Sequence, residues 1–285
     1  VTPRLTLNLG LRFEHEGPAT ERFDRAIAGY DFGVTSPLEA GAKANYAQNP
    51  IPELASLSVK GGLRFLNVDG SPRGNLAMPA LLYAPRFGFA YRVNDWMVWR
   101  GGWGIFFTPN NLGELRNDGF SLATNMITSI DGNLTPYHRL RDPFPSGLTN
   151  PPGAATGLLT AVGKSITGGA YGPEKVPDYL HGLSQQFSMG FQFVLPWQIS
   201  VDASYVGNDS QRLTMSRNVN QYPDEYLALK TRLNAKEANP FYGVITDATS
   251  SLSQKTTTVQ QLLRPFPHFT GLTQSALPYG RGDYH

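Results

Sequence analysis

Apolar and polar side chains alternate in five separate stretches of the chain. In residues 5–14 every odd position holds Leu or Phe, and the even positions hold Thr, Asn, Gly, Arg and Glu. Successive side chains of a β-strand point to opposite sides, so each stretch predicts a strand with one apolar face. The stretches are about ten residues long, the length that a tilted strand needs to cross a bilayer. We predict strands near residues 4–14, 85–93, 96–107, 185–195 and 198–207, with lipid beside the apolar face.

The connections between these strands are either very short or very long. Asn94-Asp95 and Pro196-Trp197 mark tight turns, whereas long polar stretches occupy residues 15–84, 108–184 and 208–285. Outer-membrane barrels have short periplasmic turns and long extracellular loops. We therefore expect an all-β protein, an antiparallel transmembrane β-barrel segment of five strands and three long extracellular loops. All of residues 1–285 would belong to one barrel domain that is incomplete without further strands.

The long loops carry Pro and Gly among scattered apolar residues, which predicts partly packed loops with short elements. Acidic residues and helical spacing predict a helix over 224–233, and residues 58–68 suggest a short strand pair. Trp96 and Trp197 flank the short turns, as in a periplasmic aromatic girdle, with Trp99 one step inside. Phe106-Phe107 would serve the outer girdle.

A soluble β-sandwich with an aromatic core is an alternative interpretation, although loops of this length count against a compact soluble domain. Composition agrees with an all-β protein, because 12% of residues are aromatic, 30 are glycine and only 16% are charged. No window holds the 18 or so consecutive apolar residues of a membrane-spanning helix. A net charge of +2 gives no electrostatic reason to expect a nucleic-acid partner.

Catalytic and metal-binding motifs are absent from the sequence. The chain has no cysteine, which excludes disulfides and thiolate metal sites, and its five histidines are scattered singly. The sequence lacks a nucleophile elbow, a P-loop and a metalloprotease helix. We expect no enzymatic activity, no catalytic residues, no cofactor and no metal, although a metal site assembled between loops stays an alternative.

Two groups of residues are candidates for contacts with a solute. The even-numbered strand positions would face a polar lumen, and they include Arg12, Glu14, Arg86, Arg92, Arg100, Gln192 and Asp202, with Thr6, Asn8, Ser200 and Ser204 beside them. These residues would contact a plug or substrate, or would form a solvated wall whose charges pair across strands. Aromatic residues of the loops could bind a ligand by ring stacking, or could pack the loops together. They are Tyr137, His138, Tyr171, Tyr179, Tyr222 and Tyr226.

Several segments together resemble a known family. Residues 2–14 resemble a barrel strand of TonB-dependent outer-membrane receptors, especially the Oar-like group with many acidobacterial members. Asp142-Pro143-Phe144-Pro145 and the order of the later segments also fit, namely residues 84–92, 100–107, 142–148, 203–208 and 262–267. The resemblance implies a 22-stranded barrel filled by an N-terminal plug. It also implies uptake powered through a periplasmic TonB-type energy-coupling protein.

The chain departs from that pattern in size. Five strands are far fewer than twenty-two, and we identify no plug, no coupling box and no closing aromatic strand. Residues 282–285 fall where the next descending strand of such a receptor would begin. Unpaired strand edges in hydrocarbon are costly, so further strands or other copies must complete the wall. The chain therefore resembles an internal receptor fragment.

The expected function is that of a segment of an outer-membrane receptor for TonB-coupled uptake of a scarce solute. Its long extracellular loops would capture the ligand, and its partners would be outer-membrane lipid, the remaining barrel strands and the plug. The principal alternative is a structural or adhesive extracellular β assembly built from this fragment. A soluble enzyme is a third and weaker interpretation.

Overall fold

The structure is a computed structural model that describes residues 2–109, 115–167 and 180–285. Its strands in chain order are β1 (Leu5–Glu14), β2 (Ile27–Thr35), β3 (Lys60–Phe65), β4 (Leu82–Asn94), β5 (Met97–Phe107), β6 (Ser165–Thr167), β7 (Leu183–Leu195), β8 (Ile199–Asn218), β9 (Lys236–Ala238), β10 (Thr256–Thr258) and β11 (Gly271–Tyr284). Two α-helices are present in the described residues, α1 (Glu39–Gln48) and α2 (Val259–Leu262).

One open sheet forms the body of the molecule, with its strands in the order β1-β4-β5-β7-β8-β11-β6. Its six long strands are antiparallel neighbours, and the short β6 runs parallel to the start of β11. Among the described residues, no strand pairs with the outer edge of β1. The all-β fold and the antiparallel order of the predicted strands are confirmed.

Strand register sorts the side chains onto two faces. Leu7 lies opposite Phe89, and Trp99 lies opposite Phe191. Because every second residue shares a side, the odd-numbered positions of the strands form one apolar face. We call this the apolar face, and the even-numbered side the polar face. Members of the apolar face include Leu7, Leu9, Phe87, Phe89, Trp99, Trp103, Met189, Phe191, Val201 and Tyr205.

Aromatic rings cover glycines on the apolar face. A Cβ at Gly101 would lie 2.8 Å from the ring of Phe89, and a Cβ at Gly207 would lie 2.3 Å from the ring of Phe187. Each ring therefore lies against the backbone of the neighbouring strand. Cross-strand packing of this kind stabilises a strand position that has no side chain of its own.

The short connections all lie at one end of the sheet. β4 and β5 join through the turn at Asp95-Trp96, and β7 and β8 join through the 3₁₀ segment Pro196–Gln198. Trp197 and Gln198 both have positive φ, at 64° and 62°, as the central residues of a type I′ hairpin turn require. The long connections consequently all emerge at the opposite end.

The structure corrects the predicted boundaries in the third long loop. β8 has 20 residues and continues to Asn218, although residues 208–285 were expected to be a loop. The descending strand expected near residues 282–285 begins at Gly271 and forms β11. Residues 208–218 lack a continuous apolar face, so no alternation marked them. Pairing of β8 with β11, interrupted by register shifts, supports them instead.

The three long connections fold into one body, which we call the cap. It comprises the described parts of residues 15–81, 108–182 and 219–270. Three clusters of buried apolar side chains lie in its described residues, and the two larger ones each draw on the first and third connections. The first cluster includes Leu38, Tyr46, Ile51, Leu57, Phe241, Leu252 and Leu262. The second includes Ile27, Tyr30, Leu63, Ile166, Phe266, Phe269 and Leu272.

Helix α1 joins the first connection to the third. Its first-turn Glu39 pairs with Lys43 at 2.9 Å, an (i, i+4) pair that supports the helix. Ala42 and Tyr46 lie four residues apart and therefore share the buried face. The side-chain amide of Asn45 donates to the carbonyl of Pro240 at 2.9 Å. The helix thus contributes both apolar and polar contacts to the cap.

Other local elements differ from their predictions. The helix predicted over 224–233 is a 3₁₀ segment, Asp224–Asn234, broken at Lys230, which has a φ of 47°. The strand pair suggested at 58–68 is half formed, because β3 pairs with the distant β2 instead of with its own neighbour. Further 3₁₀ segments are Gly153–Leu159 and Ser251–Ser253. None of the helices in the described ranges is both long and apolar enough to cross a membrane.

Candidate functional site

The residues predicted to face a lumen lie together on the polar face. Strand register places all seven there, although they come from five different strands. They are Arg12, Glu14, Arg86, Arg92, Arg100, Gln192 and Asp202. Alternation within each strand predicted this common side. That the polar face borders a lumen stays a prediction.

An ion pair crosses strand β7 on this face. The guanidinium of Arg100 in β5 pairs with the carboxylate of Asp202 in β8. Gly190 of β7 lies opposite Arg100, and a Cβ at this glycine would lie 2.7 Å from the backbone oxygen of Ala203. Any side chain at this position would force the strand to shift. Glycine therefore leaves the space through which the arginine reaches its partner.

The other charged groups of the polar face have local partners. Arg12 pairs with Glu14 at 2.8 Å, and the guanidinium of Arg86 lies 4.7 Å from the ring centroid of Phe106. Arg92 donates to the backbone carbonyl of Pro3 at 3.3 Å. The arrangement favours a solvated wall over a ligand site. Phe106 is therefore on the polar face, and only Phe107 stays available for the predicted outer girdle.

Between these charged groups the wall is nearly free of large side chains. A concave trough of about 540 Å³ runs over the middle of the sheet. Small residues line its floor, including Gly88, Ala90, Gly102, Ser188, Gly190 and Ser204. Another protein segment could approach the backbone closely here, although nothing in the trough identifies such a segment.

The apolar face has no protein covering in the described residues. Leu9 is 70% exposed, Tyr205 is 53% exposed and Met189 is 50% exposed. At the turn end Trp197 is 90% exposed, and the ring of Trp96 stacks on Phe193 at 6.1 Å. A contiguous exposed apolar surface of this kind marks a membrane or protein contact. The tryptophans lie where an interfacial belt would lie.

The loop aromatics proposed as ligand contacts have different surroundings. Tyr222 and Tyr226 pack against the first apolar cluster of the cap, which favours a structural role for both. Tyr137 and His138 stack at 4.8 Å on an exposed arm, residues 121–150. Tyr171 and Tyr179 lie outside the described residues. The structure does not bring the four described residues together into one site.

The cap also contains a buried polar network that the sequence did not predict. The side-chain amide of Asn220 donates to the carbonyls of Phe266 and Phe269 at 3.0 and 2.9 Å. The Gln261 amide donates to the carbonyls of Pro267 and Phe269 at 2.8 and 2.9 Å. These contacts hold residues 261–270 in a compact turn. No motif spacing signals them, because the partners are irregular loop carbonyls.

His268 lies at the centre of this turn and is fully buried. Its Nε2 donates to the carbonyl of Gly61 at 3.1 Å, and within the described residues Nδ1 has no partner. Burial lowers the pKa of His268 to about 4. The nearby hydroxyl of Tyr30 is also buried, and burial raises the pKa of this phenol. Both groups are therefore neutral in the folded cap at pH 7.

Comparison with known families decides what kind of protein this is. The family model described as an outer membrane beta barrel domain matches residues 1–285. The chain belongs to this outer-membrane β-barrel family. No curated protein and no solved structure matches it.

As an outer-membrane β-barrel protein, the chain resides in the bacterial outer membrane. Members of this family are typically non-enzymatic. The described residues contain no group of three or more His, Cys, Asp or Glu side chains that could hold a metal ion. The family accounts for the exposed apolar face, because lipid is the medium in which such a face is stable.

Proposed function

We propose that the chain is part of an outer-membrane receptor that captures a scarce solute at its cap and passes it inward along the polar face. The observation that carries the proposal is the cap itself. All three long connections emerge at one end of the sheet and fold together around shared buried clusters. A simple wall strand needs only short connections, so a folded outer body indicates a binding function.

The polar face supports the same proposal. Its trough has a small-residue floor, and its charged groups are held at the sides by the pairs described above. Such a surface allows another protein domain to slide or pack beside it. In the proposed receptor this domain is a plug, which would couple the barrel to a TonB-type energy-coupling protein.

The open sheet requires partners in the membrane. The free edge of β1 and most of the free edge of β11 expose backbone N–H and C=O groups. Each unsatisfied group in hydrocarbon costs several kcal/mol. We propose that further strands of the parent protein, or other copies of it, pair with both edges and that lipid covers the apolar face.

Uptake by living cells tests this function. A strain lacking the gene would be compared with its parent under nutrient limitation, and solutes left in the medium would be measured by mass spectrometry. We expect at least one solute that only the parent depletes, and collapse of the proton gradient should abolish this depletion. A solute that enters through general porins provides the control. Depletion that is identical in both strains, or that continues without the gradient, would contradict energy-coupled uptake.

A second candidate function is adhesion. The exposed arm carries Ile130, Leu134 and Leu140, which are 73%, 83% and 88% exposed. Apolar side chains projecting from an outer loop suit contact with another surface. If adhesion is the function, the deletion strain will attach less well to other cells and its solute uptake will be unchanged.

A further inference from the structure

A second concavity lies within the cap, away from the polar face. It has a volume of about 440 Å³, within the range of small-molecule sites. The second long connection supplies one wall through residues 118–122 and 152–165, and Val244 to Asp247 of the third supply the other. Leu38 of the first connection completes it. The cavity therefore exists only because the three connections fold together.

The shape of its wall is fixed by unusual backbone conformations. Gly119 has a φ of 85°, and a Cβ there would lie 2.3 Å from the methyl group of Thr160. Ala161 has a φ of 59°, which is unfavourable for a residue with a side chain. The Gly153 N–H donates to the carbonyl of Gly119 at 2.7 Å and ties the two parts of this wall together.

Lys164 and Asp247, both at the cavity, form an ion pair with each other. The ammonium of Lys164 lies 2.9 Å from the Oδ2 of Asp247, and the other oxygen of Asp247 accepts hydrogen bonds from the backbone N–H and the hydroxyl of Thr249. These contacts lower the pKa of Asp247 to about 2. Asp247 is therefore a neutralised partner of Lys164 and offers no free charge to a ligand.

Asp118, the other acidic residue of the cavity, differs from Asp247 in its surroundings. It also lines the cavity, yet within the described residues no side chain forms an ion pair with its carboxylate. Burial raises the pKa of Asp118, and a hydrogen bond from its own backbone N–H and the charge of Arg116 offset only part of this effect. A partly desolvated carboxylate with no ion-pair partner is stabilised when a further cation comes close to it. Among the described residues, the cavity thus presents one carboxylate that no ion pair neutralises and that Arg116 offsets only in part.

The remaining surface of the cavity is aliphatic, with hydroxyl groups between. Leu122, Leu159 and Val244 offer methyl groups, and Ser121 offers a hydroxyl. The buried hydroxyl of Thr160 already bonds with the hydroxyl of Thr156 and the carbonyl of Gly153. No aromatic ring is among the described residues that line it, so the stacking surface that a sugar ring prefers is missing there. An anion would be repelled by Asp118, because Lys164 is already neutralised.

We infer that this cavity binds a small solute with a positively charged ammonium group on an aliphatic body. The ammonium lies against Asp118 and donates to the hydroxyl of Ser121, and the aliphatic part contacts the leucines and Val244. The inference rests on the proposed capture function, because it names the class of solute that the cap receives. It is nevertheless a statement about binding, which requires no energy coupling.

Binding of three matched probes to the intact protein in lipid nanodiscs tests the inference. The probes are n-butylammonium, 1-butanol and butyrate, which share a four-carbon body and differ in charge. Saturation-transfer NMR titrations would measure their affinities at neutral pH. We expect n-butylammonium to bind at least tenfold more tightly than 1-butanol, and butyrate to bind most weakly. Equal affinities for the amine and the alcohol would overturn the inference.

Asp118→Asn is the informative variant, because it keeps the shape of the side chain and removes its charge. It should weaken n-butylammonium binding at least tenfold and leave 1-butanol binding unchanged. Asp224→Asn, an exposed carboxylate elsewhere on the cap, is the matched control and should bind like the wild type. Unchanged amine binding by Asp118→Asn would overturn the inference. If this variant loses the protease resistance of the cap, the three-probe comparison on the wild type decides the matter.

The outcome can be separated from that of the proposed function. Amine binding without any energy-dependent uptake by cells would support the inferred amine site and refute the transport proposal. Energy-dependent uptake of a solute, with no amine binding to the purified protein, would keep the transport proposal and refute this site.

Discussion

The sheet and the cap of this molecule place their apolar side chains in opposite environments. On the sheet Leu9 is 70% exposed, whereas in the cap Phe269 is fully buried. Each fully buried Leu or Phe side chain contributes about 1.5–3 kcal/mol relative to its exposed state in water. The cap obtains this contribution from its own residues, and we propose that the sheet obtains it from lipid. The comparison shows that one chain contains a region folded like a soluble domain and a region that needs a membrane.

Phe269→Ala should break the cap and spare the sheet. Removing a buried Phe side chain costs about 3–5 kcal/mol, because it leaves a cavity between the connections. Urea unfolding of the cap, followed by protease sensitivity, measures the loss. Phe87→Ala removes the same side chain from the apolar face and is the control. If both variants destabilise the cap equally, the two regions are not distinct.

Acidification should also act on the cap. His268 is neutral when buried, with a pKa of about 4, and takes up a proton near pH 6.5 when the cap unfolds. Cap stability is therefore constant above pH 6.5 and falls as the pH drops from 6.5 towards 4, by on the order of 3 kcal/mol. Urea unfolding at a series of pH values measures this slope. In His268→Gln the slope between pH 6.5 and 4 should largely disappear; a persistent slope would assign it to other groups.

Adjacent residues of β7 point to opposite faces of the sheet and should respond differently to the same substitution. Met189→Arg places a charge on the apolar face and should cost about 2–4 kcal/mol of folding free energy in a bilayer. Ser188→Arg places the same charge on the polar face and should cost much less. Folding yields into lipid vesicles compare the two variants. Equal losses would show that the two faces do not differ in their surroundings.

The smallest expected effect concerns the ion pair between Arg100 and Asp202. Both side chains are substantially exposed, at 51% and 38%, so solvent screens their attraction. A double-mutant cycle with Arg100→Ala and Asp202→Ala should give a coupling of about 0.2–1 kcal/mol that declines in high salt. A coupling of several kcal/mol would mean that the polar face is dry, which contradicts a solvated wall.

Alternation predicted the sheet where one face meets an apolar medium, and failed elsewhere. β1, β4, β5 and β7 have this pattern along their lengths. The outer half of β8 and the whole of β11 lack it. In β8, residues such as Arg212 and Arg217 extend past the neighbouring strand β7. Backbone pairing between β8 and β11 stabilises the outer half of β8, and the start of β11 also packs against the cap through the buried side chain of Leu272. Alternation of apolar and polar residues arises only where one face of a strand lies in an apolar environment. Alternation therefore does not reveal a strand that has no apolar face.

The candidate sites also contain features that alternation predicted and features that it could not predict. The common side of Arg100 and Asp202 followed from alternation, but their pairing depended on which strands are neighbours. In the cap, Asp118, Lys164 and Asp247 come from loop segments with no shared periodicity. The Nε2 of His268 contacts the carbonyl of Gly61, 207 residues away. Such contacts depend on how the connections pack, which local spacing does not encode.

Site-directed labelling of β7 tests the central claim, that the odd-numbered face contacts lipid and the even-numbered face contacts water. The chain has no cysteine, so single cysteines at positions 186 to 189 and 191 to 192 can each carry one fluorophore. We predict that brominated lipid quenches the labels at 187, 189 and 191, and that aqueous iodide quenches those at 186, 188 and 192. Quenching without this alternation would contradict the account.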